Sequence, residues 1–339
     1  MTSENKLVRK LCIVTSPLQL DEQDTFFLFV NEAISRPGLE VFVFDAVDLT
    51  DDGEVMVTEI SRPISFKTRA SLGRERVVMK LSDFDMVFLK KDPPIDEFYK
   101  NLLKRLVEEK IPAVNKPVGL LKMGSKAYLK HFPLLTPRTF YIHKAKDAVK
   151  YLKIIGNCVI KKSDSSGGKG VSHIRYKFGA FYGYRSKKEV VLAEAEVIKI
   201  VENYLENSID NTVLVVEYFL SAPERGDKRV VILDGNILGS YIRLPNLETG
   251  LCVCGNNGAK LCDPTKRDKE IVKMLRPHLK KHGIELAALD LLISKDGMEH
   301  LSEINVFNPG FCNLDVVHPE LNVAKKIIDM LCRMMREGD

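Results

Sequence analysis

Three features of the sequence predict an α/β fold. Short apolar runs alternate with helix-length amphipathic segments through residues 1–120. A strand-like run at 158–161 enters a glycine-rich stretch at 163–170. Near the C-terminus, two apolar runs at 288–293 and 301–305 flank an Asp296-Gly297 pair, the strongest short hairpin signal a sequence offers.

The run 11–14 reads as a buried first strand, followed by a loop at Ser16-Pro17. Residues 26–34 read as a helix that Pro37-Gly38 ends. A second strand is expected at 41–44 and a third at 86–89, stopped by Asp92-Pro93-Pro94. A helix over 98–107 leads to a short strand at 111–114. Such alternation predicts a parallel sheet in a first domain, 1–120. No GxGxxG follows the first strand, so this is not an ordinary dinucleotide-binding unit. A second domain is expected over 121–212. It has a helix carrying Lys126, a strand at 139–142, a helix over 146–152 and the strand 158–161. Residues 179–186 read as a loop and 190–205 as a helix. A third domain, 213–339, begins with the strand 213–217. A strand at 229–233 precedes the turn Asp234-Gly235, and the hairpin follows in a mostly antiparallel sheet. A last helix over 321–335 carries Ala324, Ile327, Ile328, Leu331, Met334 and Met335 at helical spacing, which predicts core packing.

The chain has 339 residues with 45% hydrophobic and 29% charged, the balance of a globular protein with room for several domains. Its 51 basic residues are nearly matched by 46 acidic ones and form no basic stripe, which argues against nucleic-acid binding. A phosphate-bearing ligand fits the net charge of +5 equally well. No apolar run reaches membrane-span length and no signal-peptide pattern opens the chain, so no membrane partner and a cytoplasmic location are expected. Seven cysteines without a CxxC pair predict reduced thiols. Cys252, Cys254 and Cys262 lack an obvious fourth ligand, so no zinc site is expected. His278 and His282 precede Gly283 without an HExxH pattern and read as a solvated helix end.

The hairpin carries chemistry. If Asp296-Gly297 is a two-residue turn, Lys295 pairs with Met298, Ile293 with His300, and Asp290 with Glu303. Asn305 shares the face of Glu303. Directly opposed carboxylates repel unless a cation lies between them. Asp, Glu and Asn oxygens suit a hard ion such as Mg²⁺. The alternative is that both acids point to solvent. The glycine-rich run is not a Walker A loop, because Lys169 is followed by Gly170. It is either a plain turn or a flap whose N–H groups close over phosphates. Lys161 and Lys126 are candidate phosphate ligands, or else surface lysines. The segment 215–220 carries one acid, Glu217, and can offer backbone groups to an adenine edge. Arg229 and Arg243 are either surface ion-pair partners or groups that stabilise transferring phosphoryl charge.

Together these parts resemble the ATP-grasp superfamily, and within it the bacterial type of glutathione synthetase. The likeness runs from end to end: 89–94 resembles the family's Arg-Lys-Asp-Pro-Pro, Val114-Asn115-Lys116-Pro117 its Val-Asn-Lys-Pro, and Leu134-Leu135-Thr136-Pro137 its Leu-Thr-Pro. Val159-Ile160-Lys161, Gly226-Asp227-Lys228-Arg229-Val230, Leu289-Asp290 and Glu303-Ile304-Asn305-Val306 continue the pattern. The resemblance implies an ATP-grasp fold with a central lid, and assigns roles residue by residue. Lys126 and Lys161 would bind ATP phosphates, and Ser165, Ser166, Gly167, Gly168, Lys169 and Gly170 would form the flap. Glu217, Tyr218, Phe219 and Leu220 would line the adenine pocket, with Asp227 in the nucleotide-binding set. Asp290, Glu303 and Asn305 would hold one or two Mg²⁺ ions, with Mn²⁺ as a substitute. Arg229 and Arg243 would face the phosphoryl group and an acyl phosphate.

The implied reaction is ATP-dependent joining of a carboxylate donor, γ-glutamylcysteine, to an amine, glycine, by a homo-oligomer. The chain departs from the family pattern at Lys162, where Pro is common, and at 248–258, where the family's arginine has no clear counterpart. Residues 176–210 also read as longer than usual. Another peptide or amino-acid (glutamate) ligase, and a non-catalytic ATP-binding module of the synapsin type, are the competing expectations. Relief of the Asp290–Glu303 repulsion predicts that Asp290→Asn stabilises the metal-free protein.

Overall fold

The computed structural model describes residues 8–22, 24–92, 95–165, 170–185, 188–218, 226–244 and 258–337. Its first sheet contains β1 (Arg9–Val14), β2 (Leu39–Phe44), β3 (Glu54–Glu59), β4 (Arg76–Lys80), β5 (Met86–Leu89) and β6 (Ala113–Val114), in the order β4-β3-β2-β1-β5-β6. β2, β1, β5 and β6 are parallel. Their uniformly apolar runs suit strands covered on both faces. Leu11, Ile13, Val41 and Val43 face α1 (Phe26–Ile34), while Cys12, Val14, Phe42 and Phe44 face α2 (Glu97–Glu108). The sheet is not purely parallel, because β3 and β4 add an antiparallel edge. The apolar runs of these half-exposed strands, Val55-Met56-Val57 and Val77-Val78-Met79, are shorter than those of the central strands and flanked by polar or charged residues, which is why the sequence pattern passes over them.

The second sheet is antiparallel: β7 (Thr139–Ile142), β8 (Asn157–Lys162), β9 (Val171–Lys177), β10 (Ala180–Arg185), β11 (Lys188–Leu192) and β12 (Val213–Glu217), in the order β11-β10-β9-β8-β12-β7. After α3 (Pro117–Met123), the helices α4 (Ala145–Ile155) and α5 (Glu194–Glu206) share one core with this sheet. Residues 180–185 of the loop expected over 179–186 form strand β10 instead, and 190–192, expected to open the helix over 190–205, belong to β11. Gly183, within β10, fills a packing need: a Cβ there would lie 2.7 Å from Leu192 Cδ1. Lys126 is not in a helix proper. It opens a 3₁₀ turn, Lys126–His131, that Ser125 caps through the Ala127 N–H at 3.0 Å.

The third sheet is also antiparallel: β13 (Asp227–Leu233), β14 (Asn236–Arg243), β15 (Ala259–Leu261), β16 (Leu286–Ile293) and β17 (Glu299–Asn305), in the order β15-β14-β13-β16-β17. Asp234 and Gly235 both have positive φ, 50° and 69°, as a two-residue primed turn requires. α6 (Lys266–His282) covers one face and ends at left-handed Gly283. The expected solvated end is only partly so: His278 and His282 pack edge-on against Tyr128, whose hydroxyl lies 2.9 Å from His278 Nδ1. α7 (Cys312–Val317) and α8 (Val323–Glu337) join α1 in the core on the other face. Among the described residues no helix is long and apolar enough to cross a membrane.

Buried Asn115 fastens the first sheet's domain to the third sheet. Its Nδ2 donates to Leu286 O (2.7 Å) and Val306 O (2.8 Å), and its Oδ1 accepts from Glu285 N and Leu286 N, both at 2.9 Å. Truncation strands four backbone groups at once. Asn115→Ala is expected to cost about 3 kcal/mol, read as a lower urea midpoint in chemical denaturation.

Candidate active site

The hairpin that joins β16 to β17 reaches its expected pairing by an unexpected route. Gly297 N donates to Ser294 O and Ser294 N to Met298 O, both at 2.9 Å, and Gly297 has φ 88°. The turn therefore has three residues and ends in a left-handed glycine. Ile293 pairs with Glu299, not His300. Ser302 is then extra on β17 and forms a bulge, after which Asp290 faces Glu303. The two one-residue offsets cancel, so the carboxylates stand opposed as the sequence predicts.

Neighbouring strands bring cations to the same face. β13 sets Arg229 opposite Asp290, and β14 sets Arg243 opposite Asp227. Lys228, between the two, points away into a buried ion pair with Asp268. Arg229 grips Asp290 with two donors, Nε to Oδ1 at 2.8 Å and NH2 to Oδ2 at 2.9 Å. Its NH1 donates to Gly310 O at 3.1 Å. Arg243 donates from Nε to Asp227 Oδ1 at 2.6 Å and lies 2.9 Å from Asp290 Oδ2. All four side chains are buried. Gly226 makes the approach possible: a Cβ there would lie 2.1 Å from Arg243 O, and its φ is 77°.

Two lysines complete the face. Lys126 Nζ lies 2.9 Å from Glu303 Oε1 and also donates to Ser165 O. Lys161 Nζ donates to Ser302 Oγ at 2.9 Å, so the bulge supplies the acceptor that holds it. Burial draws the Lys161 pKa down and Lys126 adds to this, while Glu303 opposes it. Burial also pushes Asp227 up, against the pull of Arg243. At Asp290 burial alone would do the same, but Arg229 and Arg243 outweigh it and hold the carboxyl well below the usual carboxylate range.

The cluster thus gathers Lys126, Lys161, Ser165, Asp227, Arg229, Arg243, Asp290 and Glu303. Asn305 follows on β17, with Nδ2 3.4 Å from Ala288 O. The donor set fits a hard divalent ion: Asp290, Glu303 and Asn305 offer only oxygen from adjoining strand positions. Glu217 and Tyr218 lie at the far end of β12, with their N–H groups bonded to Arg138 O (2.9 Å) and Asn157 O (3.0 Å). The ring of Tyr218 stacks on His173 at 4.1 Å. Ser166, Gly167, Gly168, Lys169, Phe219 and Leu220 lie outside the described residues, as do Cys252, Cys254 and 248–257. Among the described residues no group of three His, Cys, Asp or Glu is placed to share a metal ion.

Comparison with known proteins places this geometry. The family model described as the prokaryotic glutathione synthetase ATP-grasp domain matches residues 125–318, and that for the N-terminal domain of the same enzymes matches 10–120. The chain belongs to the prokaryotic glutathione synthetase family. It is an ATP-grasp ligase of the peptide-bond-forming kind. A glutathione synthetase of Yersinia pestis is 26% identical over 342 residues, covering 97% of this chain and 98% of that one. One from Gloeobacter violaceus is 28% identical over 269 residues, covering 76% and 75%. Among solved structures, D-alanyl-alanine synthetase A of Vibrio cholerae has a TM-score of 0.64 at 10% identity, covering 97% and 99%. A Chryseobacterium gregarium RiPP-associated ATP-grasp ligase with bound ADP has a TM-score of 0.60 at 16% identity, covering 96% and 97%. These two establish the shared fold.

Within this ligase, residues that no sequence motif singles out hold the lysine-bearing segments in place. Asp210 accepts from Ser163 Oγ at 2.6 Å and from Ser125 Oγ, and Lys126 N donates to Ser163 O at 2.8 Å. One carboxylate therefore ties together the segments that carry Lys126 and Lys161. In sequence it is one more polar residue of the 207–212 turn.

The ion pairs reverse one expectation. Asp290 is stabilised by two arginines more than it is repelled by Glu303, so Asp290→Asn destabilises the metal-free protein. A neutral partner strands buried guanidinium charge, at a cost of about 3 kcal/mol or more near pH 7. Because the folded pKa lies below the unfolded value, the ion pair's stabilisation is complete above about pH 4 and fades as pH falls further. Urea midpoints of wild type and variant should differ at pH 7 and converge in acid.

Proposed function

We propose that this ligase joins γ-glutamylcysteine to glycine at the expense of ATP. The observation that carries the reading is the single face on which Lys126, Lys161, Arg229 and Arg243 meet Asp290 and Glu303. Without ligand, Lys126, Arg229 and Arg243 each have a carboxylate partner. Nucleotide phosphates would replace Glu303 as the partner of Lys126 and give Lys161 an anionic one. Asp290, Glu303 and Asn305 would then hold Mg²⁺, which when bound neutralises phosphate charge.

The donor carboxylate attacks the γ-phosphorus, the bond to the β-phosphate oxygen breaks, and ADP leaves. The amine of glycine attacks the acyl phosphate carbonyl, phosphate departs with the bonding electrons, and the nitrogen loses a proton. Arg229 and Arg243 would stand against the charge on the transferring group. No enzyme nucleophile is needed, and two of the described cysteines are unsuited to that part. Cys12 is fully buried, and burial pushes the Cys158 thiol up to about 12. Positioning and charge neutralisation are the chain's work.

The departure at 248–258 favours a wider substrate panel, including glutamate and other amino acids as acceptors. ADP release is measured for each donor–acceptor pair with Mg²⁺–ATP. Turnover is expected with γ-glutamylcysteine plus glycine, and its absence sinks that substrate assignment. Glu303→Gln is expected to lower turnover at least about 100-fold with the far-UV circular dichroism unchanged. Near-normal turnover of that variant at limiting Mg²⁺ would contradict the metal assignment.

A further inference from the structure

A cleft of about 530 Å³ lies outside the phosphate face, along the outer edge of β14. Small-ligand sites span about 300–1,000 Å³, so its size is that of a binding site. The cleft exists because the chain leaves the sheet early. β15 pairs only with Tyr241, Ile242 and Arg243, and the chain then departs through Asp263 and Pro264 into α6. Among the described residues no strand pairs with residues 236–239 on that side. The same stretch is bulged: Ile237 faces Ile232 and Gly239 faces Val231, so Leu238 has no counterpart on β13. A bulged residue is left out of the ladder, and bulges gather beside binding sites. An open sheet edge receives an extended peptide as an added strand.

The charges around the cleft form a pattern. Lys269, Val272 and Arg276 stand at i, i+3 and i+7 on α6, so one helix face borders the cleft. Arg276 is held in place: its Nε donates to Gly235 O at 2.8 Å and its NH2 to Asn236 Oδ1 at 3.1 Å. Gly235 leaves it room, since a Cβ there would lie 3.2 Å from Arg276 Cγ. Arg276 NH1 has no hydrogen bond among the described residues, and the exposed Lys269 ammonium has no partner among them. A fixed guanidinium with a free donor edge, beside an unpaired ammonium, suits a carboxylate. Glu320 does not compete for these cations, because His318 Nδ1 engages it at 2.9 Å. Val272 and Leu321 give the cleft apolar surface. Asp263 lines it where the chain leaves β15, and its carboxylate has no partner among the described residues. None of these residues belongs to the phosphate face. Arg243 lies four strand positions beyond Gly239, about 13 Å away.

A carboxylate, amide groups and a slender apolar body are what this cleft is equipped to hold. We propose that it is a second ligand site, which takes a short peptide acid. The terminal carboxylate meets Arg276 and Lys269, the peptide groups lie along residues 236–239, and Asp263 accepts an N–H. The volume suits a free peptide of a few residues and not a long protein segment. Its occupant rests on the strand that carries Arg243.

The test uses the full chain and two probes, N-acetyl-alanyl-threonyl-alanine and its C-terminal amide. The acetyl group removes the ammonium, so neither probe imitates an amino-acid substrate. Binding is followed by ligand-detected NMR titration, with and without Mg²⁺–ADP and γ-glutamylcysteine. The acid is expected to bind one site, and the amide about tenfold more weakly. Lys269→Gln and Arg276→Gln should each weaken the acid about tenfold and leave the amide as it was. Lys269→Arg should keep acid binding, and all three variants should keep wild-type ADP release without peptide. Lys269 has no partner in the folded chain, so its substitution acts on the ligand and not on folding. The inference is overturned by any of three results: no saturable binding of the acid at millimolar concentration, equal binding of acid and amide, or wild-type acid binding by Lys269→Gln. Displacement of the acid by Mg²⁺–ADP and γ-glutamylcysteine also overturns it, since the peptide then occupies the reacting site.

Discussion

Asp227 and Arg229 of β13, Arg243 of β14 and Asp290 of β16 form one buried ionic knot on a single sheet face. Charges taken out of water persist only when each finds a partner in good geometry. Antiparallel pairing supplies that geometry, since it sets Arg229 across from Asp290 and Arg243 across from Asp227 with no flexible loop between. Under the proposed function, the knot would set where negative phosphate is received. It holds both guanidinium groups in fixed geometry against the two carboxylates, the preorganisation that charge stabilisation in the proposed reaction would use.

The other two sheets deliver their groups to this face. β8 brings Lys161 to the bulge hydroxyl of Ser302, and the 3₁₀ turn after α3 brings Lys126 to Glu303. Asp210 holds the two lysine-bearing segments together from behind. The first sheet is fastened by Asn115 beside the ends of β16 and β17, and brings Lys90 against Asn308. The cluster thus lies where the three sheets meet.

Much of this was legible because burial leaves a mark on sequence. The runs 11–14, 41–44 and 86–89 are apolar throughout, since both faces of those strands are covered. Strands with one wet face, β3 and β4, leave no such mark. β10, read as a loop, carries Gly183 in mid-strand, where closeness to Leu192 leaves no room for a side chain. The pairing of Asp290 with Glu303 was read correctly from a turn that differs by one residue, because a bulge at Ser302 repays the offset. No local signal announces a bulge, so Ser302 could not be chosen in advance. Asp210 escaped for a related reason: its importance lies in contacts between segments far apart in the chain. The sign of the Asp290 interaction was missed because the sequence shows its neighbour on β17 but not the arginines folded over it from β13 and β14.

The central claim is that the phosphoryl group passes to the donor's carboxylate on this face and not to water or to the protein. Oxygen transfer tests it directly. γ-Glutamylcysteine labelled with ¹⁸O in its cysteinyl carboxylate is turned over with glycine and unlabelled ATP, and the inorganic phosphate is analysed by mass. The account predicts one ¹⁸O atom in each phosphate released, left behind when the amine displaces the acyl phosphate. Phosphate released during amide formation without label would contradict it.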